Sequence, residues 1–211
     1  DQKLQQLHLA NLGTAYYRIG DLSKAIHYHE EALTLAQHNQ DPSGESIALA
    51  NLGLCYRGLG KTLEAIDNYE AALPILRELN LRDAVATVLM NLGTAYSALG
   101  RIQQAVTVLE EANAMYLETG NQNNRAMALV CLGEVQGHLG KTQGATHYAS
   151  EGLALARTMA NPFVEAAALC ILGELERDSQ NWEAAIARNQ EAIQKADFIS
   201  NAEIRSIART R

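Results

Sequence analysis

The chain has 211 residues, 47% hydrophobic and 5% aromatic, with a formal net charge of -7. That composition can build a sizeable globular core, and its acidic balance gives no electrostatic reason to bind nucleic acid or an anionic membrane, whose phosphates Lys and Arg would have to neutralise. No apolar run long enough to span a membrane and no charged-then-apolar leader is visible, although the chain opens at Asp1 rather than Met; Cys55, Cys131 and Cys170 have no CxxC spacing, no Asn-x-Ser/Thr sequon occurs, and a cytoplasmic location with reduced thiols is expected.

From the N-terminus, the first predicted element is a helix in which Leu4, Leu7, Ala10, Leu12, Ala15 and Tyr16 recur at helical spacing. Gly20 stops it as a C-cap glycine does, and Asp21 stands where a side-chain oxygen would cap the next helix. That second helix carries Ala25, Ile26, His29, Ala32, Leu33 and Ala36 on one stripe. From Asp41 the pair starts again. "NLGTAYYRIG" from Asn11 returns as "NLGLCYRGLG" from Asn51, "NLGTAYSALG" from Asn91, "CLGEVQGHLG" from Cys131 and "ILGELERDSQ" from Ile171, a period of 40 residues. A single array is therefore expected, with a helix A and a helix B in each of repeats 1–40, 41–80, 81–120, 121–160 and 161–200. Residues 201–211 would open a truncated sixth repeat, so the chain reads as part of a longer protein.

The punctuation repeats as well. Gly60, Gly100 and Gly140 mark the A-to-B stop, and the fifth repeat has Gln180 there. Asp1, Asp41, Asn121, Asn161 and Asn201 are placed to cap helices A, with Pro42 and Pro162 at the first helical position of two of them. Connections this short make consecutive helices antiparallel neighbours. Pro74, in "AALPILREL", should bend helix B of repeat two without ending it, because the apolar pattern runs on through Ile75, Leu76 and Leu79.

Small residues line both helices. Gly13, Gly53, Gly93, Gly133 and Gly173 follow the leucine column Leu12, Leu52, Leu92, Leu132 and Leu172 on helix A. Ala25, Ala65, Ala105, Ala145 and Ala185 recur on helix B, as do Ala32, Ala72, Ala112, Gly152 and Ala192. A glycine inside a helix costs about 1 kcal/mol relative to alanine. The expected compensation is a close backbone approach, with the small column of helix A facing small columns of helix B.

Leucine-glycine, tyrosine three residues on, then two alanines on helix B is a pattern similar to the tetratricopeptide repeat, and it covers residues 1 to about 200. The 40-residue form, with "NLGxxYxxLG" and "ExALxLA" wording, resembles the long repeats of Pins-type scaffolds, kinesin light chains and the sensor regions of bacterial STAND signalling ATPases. The resemblance implies an all-α fold, a right-handed α-solenoid of stacked antiparallel helix pairs with helices A lining a concave groove. It also implies binding of peptides or protein segments without chemistry of its own.

By that geometry the groove-facing residues are Leu7, Ala10, Asn11, Thr14, Tyr17 and Arg18 in repeat one. Repeat two offers Ile47, Ala50, Asn51, Leu54 and Arg57, and repeat three Thr87, Met90, Asn91, Thr94 and Ser97. Asn11, Asn51 and Asn91 form a ladder that Cys131 and Ile171 end. Each amide both donates and accepts, so a row of them can hold an extended peptide backbone; the competing expectation is that they bond neighbouring helices. The groove should change sign, from Arg18 and Arg57 to an acidic end at Glu134, Glu174 and Asp178, with His138 and Arg177 among the acids. Chaperone-binding members of the family clamp a terminal carboxylate with a cation four residues before the first asparagine column; Leu7, Ile47 and Thr87 stand there, which argues against such a clamp.

Other motifs carry less. "GKT" at Gly60–Thr62 and Gly140–Thr142 lacks the preceding glycine and strand of a phosphate-binding loop. Cys131, Glu134 and His138 share a helical stripe, but no fourth ligand can be named, and no metal or cofactor is expected. No catalytic constellation is present. The function expected is a non-catalytic module that binds a protein or an extended peptide segment, with no nucleic acid, no membrane and an open oligomeric state. The alternative is a regulatory sensor arm of a bacterial signalling ATPase or transcription regulator.

Overall fold

The computed structural model describes the backbone of residues 2–209 and the side chains of residues 2–197. Among the described residues it has ten α-helices: α1 (Gln2–Arg18), α2 (Leu22–His38), α3 (Pro42–Gly58), α4 (Thr62–Glu78), α5 (Arg82–Ala98), α6 (Ile102–Thr119), α7 (Gln122–His138), α8 (Thr142–Thr158), α9 (Pro162–Asp178) and α10 (Trp182–Arg209). Helices A are the odd-numbered ones. None of the ten is long and apolar enough to cross a membrane.

Each connection is closed by the same two backbone bonds. After α1, Gly20 N–H donates to the Tyr17 carbonyl and Asp21 N–H to that of Tyr16, both at 3.0 Å. This is the Schellman arrangement, which needs one residue at positive φ. Gly20, Gly60, Gly100 and Gly140 supply it as expected, and Gln180 does so at φ 61°. The B-to-A turns use it too, through Gln40, Asn80, Gly120 and Ala160. Caps follow the sequence where side chains permit: Asp21, Asp41, Asn121 and Asn161 each accept from the backbone three residues on. Asp1 lies outside the described residues.

The chain forms two compact units, Asp1–Val108 and Leu109–Arg211. In the first, each of α1 to α4 packs on its successor, and α1 also touches α3 and α3 touches α5, as stacked antiparallel pairs require. Ala25, Ala65 and Ala72 are wholly buried, and Leu52 and Leu92 sink between helices, each such leucine contributing about 1.5–3 kcal/mol. Hydroxyls join successive repeats: Tyr56 Oη donates to Glu30 Oε1 at 3.2 Å, and Tyr96 Oη to Glu70 Oε1 at 2.6 Å. Helix α4 runs through Pro74 to Glu78.

In the second unit α7, α8, α9 and α10 stack in order around a core of Val130, Leu153, Val164, Leu169, Leu172 and neighbouring alanines. Ion pairs tie its helices: Arg125 with Glu151, Arg157 Nη2 with Glu191 Oε1 at 2.6 Å, and Lys195 Nζ with the nearly buried Glu165 Oε2 at 2.6 Å.

Two expectations are corrected. The glycine column mostly makes room for a helix-B side chain instead of a small residue. A Cβ on Gly13 would lie 2.6 Å from His29 Cε1, one on Gly53 2.4 Å from Tyr69 Cε1, and one on Gly173 2.8 Å from Asn189 Nδ2. Backbone meets backbone only at Gly133, among the glycines of this column so described, where the Cβ would lie 3.1 Å from Ala149 N and 3.2 Å from Ala145 O. Second, no helix starts at Asn201, because α10 continues unbroken to Arg209. Gln40 and Ala160 have no intrinsic taste for positive φ, so packing of the following helix A imposes their turns.

Candidate functional site

In the first unit α1 and α3 are in contact. A cavity of about 420 Å³ opens between them, lined by Leu7, Ala10, Asn11 and Thr14 from one helix and Ile47 and Asn51 from the other. Asn11 is exposed and Asn51 half-buried. Among the described residues no hydrogen bond joins the Asn11, Asn51 or Asn91 side chains to a neighbouring helix. Thr14 Oγ1 donates to Ala10 O at 2.9 Å and Thr94 Oγ1 to Asn91 O at 2.8 Å. Their hydroxyl protons are therefore committed, and toward a ligand these threonines can only accept.

Further along the same helices, Arg18 and Arg57 are exposed, while Tyr17 and Leu54 are half-buried; in α5 Asn91, Thr94 and Ser97 are half-buried. Asn91 does not line the cavity with Asn11 and Asn51. Below Arg57 lies Tyr69, whose burial raises its phenol to about 12; its hydroxyl makes no hydrogen bond of good geometry, although the Arg57 guanidinium is near enough to pull that value the other way. His29 is likewise buried against Gly13, and desolvation lowers its imidazole to about 4, leaving it neutral at physiological pH.

The rim near the α2–α3 turn was not legible as part of the site. Gln6 Nε2 donates to Asp41 Oδ2 at 2.7 Å, and Asn39 Nδ2 to Gln6 Oε1 at 3.4 Å, closing one end of the cavity beside Lys3 and Ser43. Gly44 permits this, since a Cβ there would stand 1.8 Å from Gln6 Nε2. The available signal was Gln6 itself, a polar residue in the column of Ser46, Ala86, Ala126 and Ala166.

The second unit brings the expected acids together by itself. Glu134 and His138 of α7 and Glu174, Arg177 and Asp178 of α9 line a cavity of about 250 Å³ floored by Ile171 and Leu175. Arg177 Nε and Nη2 both donate to Asp178 Oδ1 at 3.1 Å, which leaves Glu134 and Glu174 as the exposed acids that Arg177 does not engage. Cys131 is not in the lining, and among the described residues no group of three or more His, Cys, Asp or Glu is placed to hold a metal ion. Both "GKT" segments are ordinary A-to-B turns, with Gly60 and Gly140 at positive φ and Lys61 and Lys141 at the N-cap.

Comparison with known proteins agrees with this architecture. Two tetratricopeptide repeat models match residues 9–43 and 44–118, and a model of anaphase-promoting complex subunit 5 matches residues 103–178. No curated protein matches the sequence. Among solved structures, BtubC (BKLC) from P. vanneervenii is 22% identical with a TM-score of 0.77, covering 91% of this chain and 80% of its own. The Rap conjugation gene regulator of plasmid pLS20, solved with the Phr* peptide, is 17% identical with a TM-score of 0.78 over 95% of this chain and 55% of its own. A Signal Transduction ATPase with Numerous Domains (STAND) protein with a tetratricopeptide repeat sensor, from Pyrococcus horikoshii, is 17% identical with a TM-score of 0.79, covering 98% of this chain but 32% of its own. At such identities the likeness shows the fold alone. The two repeat models adjoin and together run over more than half of the 211 residues, and with the helix pairs described above they show that the chain belongs to the tetratricopeptide repeat family.

Proposed function

We propose that the chain is a non-catalytic binding module whose site is the α1–α3–α5 side of the first unit. The occupant is an extended protein or peptide segment, and residues 1–200 act as five repeats of one array. The observation that carries this reading is the cavity where the amides of Asn11 and Asn51 stand beside an apolar floor of Leu7, Ala10 and Ile47. A peptide backbone needs paired donors and acceptors, and its side chains need apolar cover. Asn91, Thr94 and Ser97 continue the polar row, Tyr17 and Leu54 supply contact area, and Arg18 or Arg57 takes an acidic side chain of the ligand. In the second unit, Glu134 and Glu174, with Asp178 behind them, suit a basic side chain. The peptide-bound Rap regulator, alike in fold, supports the reading by analogy. The absence of a disulfide at Cys55, Cys131 and Cys170, among the described residues, fits a cytoplasmic setting.

A second reading, a sensor arm within a larger signalling protein, is supported by the way nearly the whole chain superposes on one third of the STAND protein. The test is to select binders from a library of extended peptides and titrate them against variants. Replacing Asn11, Asn51 and Asn91 with alanine removes hydrogen bonds worth about 0.5–1.5 kcal/mol each and should weaken binding roughly tenfold to a thousandfold with helicity retained. Unchanged affinity, or a greater loss from Asp67→Lys on exposed α4 surface, would move the site off this groove.

A further inference from the structure

Resting on the binding reading above, we propose that a carboxylate of the bound segment is taken at one built subsite in repeat two, where Tyr69 of α4 reaches past Gly53 of α3 and positions the Arg57 guanidinium to hold it. Tyr69 is wholly buried, with one side of its ring against Gly53: a Cβ there would stand 2.4 Å from Cε1, 2.6 Å from Cδ1 and 2.8 Å from Cζ. The glycine leaves a gap in the side-chain cover of α3, and through it a helix-B hydroxyl arrives among helix-A side chains. The Arg57 guanidinium, the Tyr17 phenol and the Cys55 thiol are all close enough to act on it. The hydroxyl is nevertheless shut off from water without a hydrogen bond of good geometry, a costly state for a buried polar group until a partner completes it.

Arg57 is the other half of the subsite. The chain carries a net charge of -7, yet residues 4–18, 46–58 and 84–98, which make up most of α1, α3 and α5, contain no Asp or Glu. Among the described residues neither Arg18 nor Arg57 makes an ion pair, and both are exposed. A guanidinium presents its N–H donors as a rigid fork, so its outer edge can hold a carboxylate by two parallel bonds while an inner N–H turns to a second acceptor. A carboxylate bound at that edge fixes the fork and brings the inner N–H onto Tyr69 Oη, which supplies the missing partner. Arg18 has no such buried group to position it, so ordering its side chain costs more on binding. Repeat five shows what the arrangement excludes. Arg177 stands in the column of Arg57 but is tied to Asp178 through Nε and Nη2, and Asn189, opposite Gly173, already donates to Ala185 O at 2.8 Å. An Asn or Gln side chain on the ligand has the shape of the acid but lacks the charge and the second acceptor oxygen, so this subsite selects acid over amide.

The test titrates the 211-residue chain with a fluorescent peptide selected from the library, and with copies in which each acid is changed in turn to Asn or Gln. One change should weaken binding about tenfold or more. Arg57→Gln should abolish that acid-over-amide preference, and Arg18→Gln should leave it. Tyr69→Phe keeps the buried ring and the helical circular dichroism; it should cut the preference roughly threefold to tenfold while the amide peptide binds as before. A peptide amidated at its C-terminus separates the two sources of the carboxylate, since a loss there in place of a side-chain change assigns the subsite to the chain end. Selected peptides without an acid preference, a preference that survives Arg57→Gln or falls with Arg18→Gln, or a Tyr69→Phe loss shared equally by acid and amide peptides would each overturn the proposal. If the three asparagine replacements leave affinity unchanged, the binding reading falls and this subsite with it; if they weaken binding but no acid is preferred, the subsite alone falls.

Discussion

Gly53→Ala isolates the reason for the glycine column. The added Cβ would stand 2.4 Å from Cε1 of Tyr69, a wholly buried ring, when ordinary contact begins near 3.4 Å. Ring or helix must therefore give about 1 Å, an overpacking cost of roughly 1–3 kcal/mol. Alanine returns about 1 kcal/mol of helix propensity, so the net loss should be about 0–2 kcal/mol. Gly137→Ala is the control: its Cβ would meet Ala145 Cβ at 3.9 Å, an ordinary contact, so the propensity gain should stand as a stabilisation of about 0.5–1 kcal/mol. The assay is urea unfolding followed by helical circular dichroism, comparing midpoints, since two compact units need not unfold as one. Tyr69→Leu removes the struck ring edge, and the double variant should recover about 0.5–2 kcal/mol of coupling. A stabilising Gly53→Ala, or a penalty unchanged in the Tyr69→Leu background, would refute the contact.

His29 sets an acid limit on the first unit. Its folded-state imidazole lies lowered at about 4 against 6.5 for the free group, because burial penalises the charged form, so the unfolded chain binds the proton more tightly. This stability is whole above about pH 6.5 and is lost progressively as pH falls toward 4, in total about 3 kcal/mol. His29→Tyr, copying Tyr69 opposite Gly53, should flatten that slope in acid denaturation; an unaltered slope would exonerate His29. The capping carboxylates of Asp21 and Asp41, lowered by their hydrogen bonds to Lys24 and Gly44, lose their contribution below that window. Ala160 holds φ 51°, so Ala160→Gly should raise the unfolding midpoint of the second unit by up to about 1 kcal/mol of relieved backbone strain; a lower midpoint would show that the turn is not strained.

Local rules written every 40 residues made most of the fold legible. Gly20 and its successors, the caps at Asp41 and Asn161, and the leucines at Leu52, Leu92 and Leu172 each act within a few residues or along one helix face. For that reason the sequence alone determined ten of the helices, their antiparallel order and the helix that carries each of Asn11, Asn51 and Asn91. What lies opposite a residue on another helix is a different kind of fact. The glycine column is constant, but its partners His29, Tyr69 and Asn189 vary, so no pattern advertised that Gly13, Gly53 and Gly173 make room for side chains. Tertiary packing likewise decided that Gln6 reaches Asp41 over Gly44, and that Asn11 and Asn51 share a cavity wall without Asn91. It forced Gln40 and Ala160 into left-handed turns, and ran α10 on past Asn201. In each case the deciding energy comes from a neighbour distant in sequence, which a residue's own propensity does not record.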